Sequence, residues 1–135
     1  MDWQYCLKKR IAKEIKEDKN LIISLLNISE TKIKSVEALS EEFFVSKISL
    51  LYDALREILE AIAIKKGYKI YNHECYTSFI KEILNLSREA DIFDNLRKIR
   101  NSINYYGKEI EKYEAEELIK SLKEQINIFK KFIQF

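Results

Sequence analysis

The sequence predicts an all-α protein, an antiparallel up-and-down bundle of four long helices and one short helix. Three observations carry that expectation. Proline is absent and glycine occurs only twice in 135 residues. Apolar residues recur at steps of three and four along most of the chain, the helical period. The stretches between these segments are short, which favours sequential neighbours packed antiparallel. With 47% hydrophobic and 34% charged residues, the chain has the composition of one folded unit, 1–135. Collagen-like, low-complexity and many-turned β architectures are disfavoured, and a sheet has no evident place.

The first helix is expected over 3–39, on Trp3, Leu7, Ile11, Ile15, Ile22, Leu26, Ile33 and Val36, with a break near Asp18-Lys19-Asn20. Ser40 then supplies an N-cap, and Glu41 and Glu42 place negative charge where the helix dipole favours it. The second helix buries Phe44, Ile48, Leu51, Leu55, Ile58 and Ile62 and stops at Lys65-Lys66-Gly67. Asn72 caps a short third helix, with Glu74 in its first turn and Phe79, Ile80, Ile83 and Leu84 as its buried side, ending near Asn85. Ser87 or Asp91 opens the fourth, whose apolar residues Ile92, Leu96, Ile99, Ile103 and Tyr106 run up to Gly107. The fifth, over 112–132, carries Leu118, Leu122, Ile126 and Phe129.

The charge balance, 24 basic against 22 acidic residues, is too even to attract a polyanion in bulk, so a nucleic-acid role requires a local site. Cys6 and Cys75 match no zinc spacing and give no disulfide framework, which points to a reducing, cytoplasmic setting. No apolar run approaches the roughly 20 residues of a membrane span. The first ten residues lack the apolar core of an export signal. The eight tyrosines exceed what such a core needs and suggest a cleft or a self-associating surface.

The fourth helix carries the candidate chemistry. Arg97, Arg100, Asn101 and Asn104, at helical spacing, are expected on one face opposite the apolar stripe. A guanidinium offers a forked donor suited to phosphate, and an asparagine both donates and accepts. The bland alternative is that the arginines pair with glutamates and the asparagines face water. Arg56, with Asp53, Glu57 and Glu60, forms a charged strip on the second helix. There the choice is between local ion pairs and a contact from Arg56 or Glu57 across to the Arg100 face. The single histidine, His73, has the range for acid–base work, but in a helix first turn a structural hydrogen bond is the commoner role. One histidine without ligand-spaced cysteines gives no metal site. On the last helix, Lys123, Lys130 and Lys131 sit among glutamates and read as a solvated face.

The segment Arg97-Lys98-Ile99-Arg100-Asn101-Ser102-Ile103-Asn104-Tyr105-Tyr106-Gly107 resembles the HEPN superfamily, in particular its small archaeal type. Two preceding segments, Leu51-Tyr52-Asp53-Ala54-Leu55-Arg56-Glu57 and 67–75, strengthen the likeness, which covers about half the chain, 43–107. The resemblance implies an all-helical domain that dimerises and brings paired Arg motifs to one cleft. It implies three kinds of role: a metal-independent endoribonuclease, often a toxin; the partner of a minimal nucleotidyltransferase; or a non-catalytic binding domain. Position by position, Arg100 is the motif arginine, Asn101 the polar residue after it, and Tyr105 stands where catalytic members carry histidine. An ordinary tyrosine with a pKa of about 10 is a poor base at neutral pH; it serves better as an acid, a phosphate donor or a stacking platform.

The expectation is therefore a homodimer binding RNA or a nucleotide at the Arg100 face, without a cofactor, in a toxin–antitoxin or defence-type system with a minimal nucleotidyltransferase partner. Arg97, Asn104, Tyr106 and Arg56 are the accompanying binding residues. The rivals are a ribonuclease using Arg100, Asn101 and Tyr105, with His73 as a further acid–base group, and a structural helical dimer.

Overall fold

The most apolar helix of the chain forms its centre in the structure, a computed structural model that describes 1–107 and 109–133, with Tyr105 and Tyr106 described in backbone only. In chain order the helices are α1 (Trp3–Lys8), α2 (Lys19–Ala38), α3 (Phe44–Lys65), α4 (His73–Ser78), α5 (Ser87–Tyr106) and α6 (Lys112–Lys130). With 76% of the described residues helical, the protein is all-α. From Leu51 to Ile64, α3 is buried on nearly every side, and α2 and α6 pack along it while α5 covers a further flank. Ile48, Leu51, Leu55, Ile58 and Ile62 form the expected stripe. Removing that much apolar surface from water is the main favourable contribution to the fold. Among the described residues no helix is long and apolar enough to cross a membrane.

Three features correct the sequence reading. The first expected helix is two helices separated by a strand. α1 ends at Lys8, Arg10 takes a left-handed φ of 59°, and β1 (Ala12–Glu14) follows. Asp18 then accepts a hydrogen bond from the Leu21 amide and starts α2. A sheet does form: β1 pairs antiparallel with β2 (Tyr68–Ile70), in the register Ala12↔Ile70, Lys13↔Lys69 and Glu14↔Tyr68. Helical spacing of Leu7, Ile11 and Ile15 hid this strand, because Ala12 is the residue it buries and alanine gives little periodic signal.

The third correction concerns the cysteines. Cys6 of α1 and Cys75 of α4 are joined in a disulfide, both fully buried. Their usage therefore gives no support to a reducing setting. As the two lie 69 positions apart, no local spacing announces the bond; it follows from the return of the N-terminal arm onto α4. That return is held also by Ser78 Oγ donating to the Met1 carbonyl at 2.6 Å and by the Trp3 amide donating to Glu82 Oε2 at 2.7 Å.

The helix ends largely match their sequence signals. Asn72 caps α4 by accepting from the Cys75 amide at 2.8 Å. α4 continues through a π-helical stretch, Phe79–Ile83, and the chain turns at Asn85, again left-handed at φ 59°. Gly107 ends α5 at φ 65°, the conformation that glycine adopts without cost. Ser40 precedes a short 3₁₀ turn, Glu41–Phe43, rather than α3 itself, and its hydroxyl donates to Glu42 Oε1.

Candidate anion-binding site

α5 is phased differently from its expected stripe. Its innermost residues are Ala90, Phe93 and Leu96, and Phe93 stacks near Tyr52 of α3. Continuing that inward face, Arg97 and Arg100 come to lie against α3 and α4, with side chains only 11% and 14% exposed. They are not on a face opposite the core, as the spacing suggested. Ile92, Ile99 and Ile103 are instead half-buried and line a groove of about 440 Å³ against α6, together with Ile110, Tyr113 and Leu118.

A guanidinium brought that far inside needs partners. Arg97 donates to Asp94 Oδ1 from Nη2 at 2.8 Å and from Nε at 3.2 Å, and reaches Glu74 Oε1 of α4 at 4.0 Å. Thr77 Oγ1 donates to the same Asp94 oxygen at 3.3 Å, and Lys98 pairs with its other oxygen at 3.1 Å. Burial works to raise the Asp94 carboxyl, but the hydrogen bonds from Arg97 and Lys98 outweigh it and hold the group low. Arg100 Nη2 lies 3.4 Å from Asp53 Oδ1 of α3, and its guanidinium carbon sits 5.0 Å above the Tyr52 ring. This is a cation–π arrangement that keeps the positive charge at the site.

The expected link from α3 to Arg100 thus exists, but Asp53 makes it. Glu57 points the other way, to Lys32 of α2 at 2.8 Å, and Arg56 pairs along its own helix with Glu60 at 3.6 Å. Of the asparagines, Asn104 is exposed and accepts from Ser49 Oγ at 3.4 Å, whereas Asn101 is half-buried. The side chains of Tyr105 and Tyr106 lie outside the described ones.

The histidine belongs to this cluster. The Asn72 cap sets His73 as the first residue of α4, and its Nδ1 lies 3.0 Å from the Tyr52 hydroxyl. Burial holds the imidazole down to about 4 from its ordinary 6.5, helped by the positive charges of Arg56, Arg100 and Arg97 and opposed by Asp53. His73 is therefore neutral at physiological pH. Burial likewise pushes the Tyr52 hydroxyl up to about 12, against the pull of the same three arginines. Tyr52, Asp53, Glu74, Thr77 and Asp94 were not singled out as site residues. Asp94 was findable as the i−3 neighbour of Arg97, and Tyr52 and Asp53 lie one turn before Arg56.

Chemically, three guanidinium groups from two helices, each beside a carboxylate, act electrostatically on a neutral imidazole at a partly exposed surface. Guanidinium groups are hydrogen-bond donors only, the chemistry that an anion's oxygens accept. Comparison of the chain with protein-family models, with curated proteins and with solved structures finds no match.

Proposed function

We propose that the protein is a HEPN-like homodimeric domain that binds RNA or a nucleotide through its phosphate at the Arg100 face. The observation that carries the ligand is the placing of Arg97 and Arg100 on one face of α5, Arg97 reaching Glu74 beside His73 and Arg100 lying over the Tyr52 ring whose hydroxyl meets His73. The partner and setting, a minimal nucleotidyltransferase in a cytoplasmic toxin–antitoxin or defence-type system, rest on the sequence resemblance. The groove beside Ile99 and Ile103 supports self-association, since it lies on the same helix as the arginines and is mostly apolar.

The test is calorimetric titration of AMP and of a short oligoribonucleotide into wild type, Arg100→Ala and Arg56→Ala. Loss of a charge-assisted contact of roughly 1.5–3 kcal/mol predicts at least tenfold weaker binding, with helicity unchanged. Absence of binding in wild type rejects the reading and leaves a structural helical dimer, in which the arginines serve the packing of α5 against α3 and α4.

A metal-independent endoribonuclease is the second reading, favoured by one observation: the imidazole of His73 lies 3.0 Å from the hydroxyl of Tyr52, whose ring Arg100 covers. The position aligned with the family histidine is Tyr105, so His73 would serve as the acid–base group while Arg100 steadies the phosphate. RNA cleavage in the presence of EDTA, abolished by His73→Ala, supports it. An unaffected His73→Ala rate removes His73 from the reaction.

A further inference from the structure

The Tyr52 hydroxyl is fully buried, and among the described residues the one hydrogen-bonding atom it meets is His73 Nδ1. A phenol carries one proton, and burial keeps it there. If Nδ1 bore hydrogen, the phenol oxygen would accept from it and its own proton would point into the interior without an acceptor. Such an orphaned donor costs about 1–3 kcal/mol, which is enough to choose between tautomers that are otherwise close in energy. The arrangement that satisfies both groups has Tyr52 donating to Nδ1. The ring hydrogen then sits on Nε2.

We propose that Tyr52 fixes His73 as the Nε2–H tautomer, so that the imidazole serves the site as a neutral hydrogen-bond donor and, with Arg56, Arg97 and Arg100, recognises a phosphomonoester dianion. This rests on the phosphate-binding reading above and names its ligand. A dianionic phosphate has only acceptors on its three terminal oxygens, so it suits N–H donors and not a basic nitrogen, and on binding it competes with Asp94 and Asp53 for the donors of Arg97 and Arg100. Other groups around the ring leave this assignment in place. From α3 they are Arg56 and Asp53; from α5, Arg97 and Arg100, with Asp94 held by Arg97; from α4, Glu74, which faces Arg97. The arginines oppose protonation of the ring, and Asp53 alone among the groups acting on it favours protonation.

The same geometry assigns the chemical direction of His73. An imidazole whose Nδ1 already accepts from Tyr52 carries its hydrogen on Nε2, so it gives a hydrogen bond and does not remove a proton from a 2′-hydroxyl, which excludes the ribonuclease reading that uses His73 as a base. Tyr52 is accordingly a positioning residue, acting on the ligand through His73.

His73 is the only histidine in the chain, so its ring nitrogens are assigned in a single ¹⁵N–¹H long-range correlation spectrum of the oxidised protein. The expected spectrum has Nε2 protonated and Nδ1 unprotonated, unchanged between pH 8 and pH 5. Tyr52→Phe is expected to mix or invert the two forms while circular dichroism stays native, a change that a purely packing role for Tyr52 does not produce. In titrations with inorganic phosphate and AMP, Tyr52→Phe should bind about fivefold more weakly, the equivalent of one net hydrogen bond of about 1 kcal/mol. His73→Gln, which keeps an N–H donor at a similar reach, should retain more affinity than His73→Ala.

Protonated Nδ1 in wild type overturns the proposal even if phosphate binds, which leaves the anion-binding reading standing. Protonated Nε2 with no binding of either probe overturns the ligand and, with it, the proposed function.

Discussion

Breaking the Cys6–Cys75 bond should cost the protein a large part of its stability while leaving the fold in place. The bond closes a loop of 69 residues, and in the chain-entropy treatment tethering the ends of such a loop in the unfolded chain corresponds to about 4 kcal/mol at 25 °C. The folded state loses little else. Trp3 and Ala12 remain buried, Met1 and Trp3 keep their hydrogen bonds to Ser78 and Glu82, and β1 keeps its pairing with β2. The effect therefore lies in the unfolded ensemble.

Urea unfolding followed by circular dichroism measures it, on oxidised protein and on protein reduced under denaturant, refolded and kept in a phosphine reductant. The midpoint should fall by the equivalent of about 4 kcal/mol, roughly 15 °C in Tm for a chain of this size. The slope with urea should steepen, because the reduced unfolded chain exposes more surface. Cys6→Ala/Cys75→Ala should reproduce the loss, with a further contribution of about 1 kcal/mol from the space left by two buried sulfurs. A difference below about 1 kcal/mol between oxidised and reduced protein would sink this account, as would alkylation of either thiol in unreduced protein.

Other expectations concern the charges and caps. Lys32→Met should destabilise by about 3 kcal/mol in thermal melts, because it leaves the buried Glu57 carboxylate without its cation, and Lys32→Met/Glu57→Leu should recover most of that loss. Between pH 6.5 and about 4 the unfolded chain takes a proton on His73 that the folded chain refuses, so stability is full above 6.5 and falls as pH drops through that window. Solvent screening at this half-buried ring reduces the fall to about 1–2 kcal/mol, and urea midpoints in His73→Gln should show a correspondingly flatter profile. Asn72→Ala should cost about 1 kcal/mol by removing the α4 cap, and it should shift the His73 ring resonances, whereas capping Asp18→Ala should cost a similar amount and leave those resonances unmoved.

The all-α class and most helix boundaries were legible because the signals are local: a periodic stripe in α3, a cap at Asn72, a glycine after α5. What the sequence hid is non-local. β1 is three residues long and takes its identity from β2 more than 50 positions away. The disulfide depends on the same return of the N-terminal arm. On α5 the spacing did place Arg97 and Arg100 together, but the face they occupy was misread because Phe93 and Ala90, not Ile99, anchor the helix. Periodicity identifies a stripe without saying which neighbour covers it, and a partly buried arginine is indistinguishable in sequence from a solvated one. His73 was weighed both as an acid–base group and as a structural residue, without partners; those come from two other helices that no spacing connects to it.

These non-local features bear on the site together. α4 has six residues, too few for helical propensity to hold it, so the placement of His73 depends on what α4 is tied to. Its ties are the Asn72 cap, the bond from Cys75 to Cys6 and Ser78 to the Met1 carbonyl from the N-terminal arm, and the contacts of His73 with Tyr52, Glu74 with Arg97 and Thr77 with Asp94 from α3 and α5. Arg97 and Arg100, by contrast, ride on a helix of 20 residues anchored by its own buried aromatic. The cationic part of the site is thus built into the helical body, and the imidazole is placed by a short element held both from that body and from the N-terminal arm. Reduction should consequently broaden or shift the His73 ring signals well before it changes the overall helicity, and it should weaken phosphate binding by only the share that the imidazole contributes, leaving the contribution of the arginines in place.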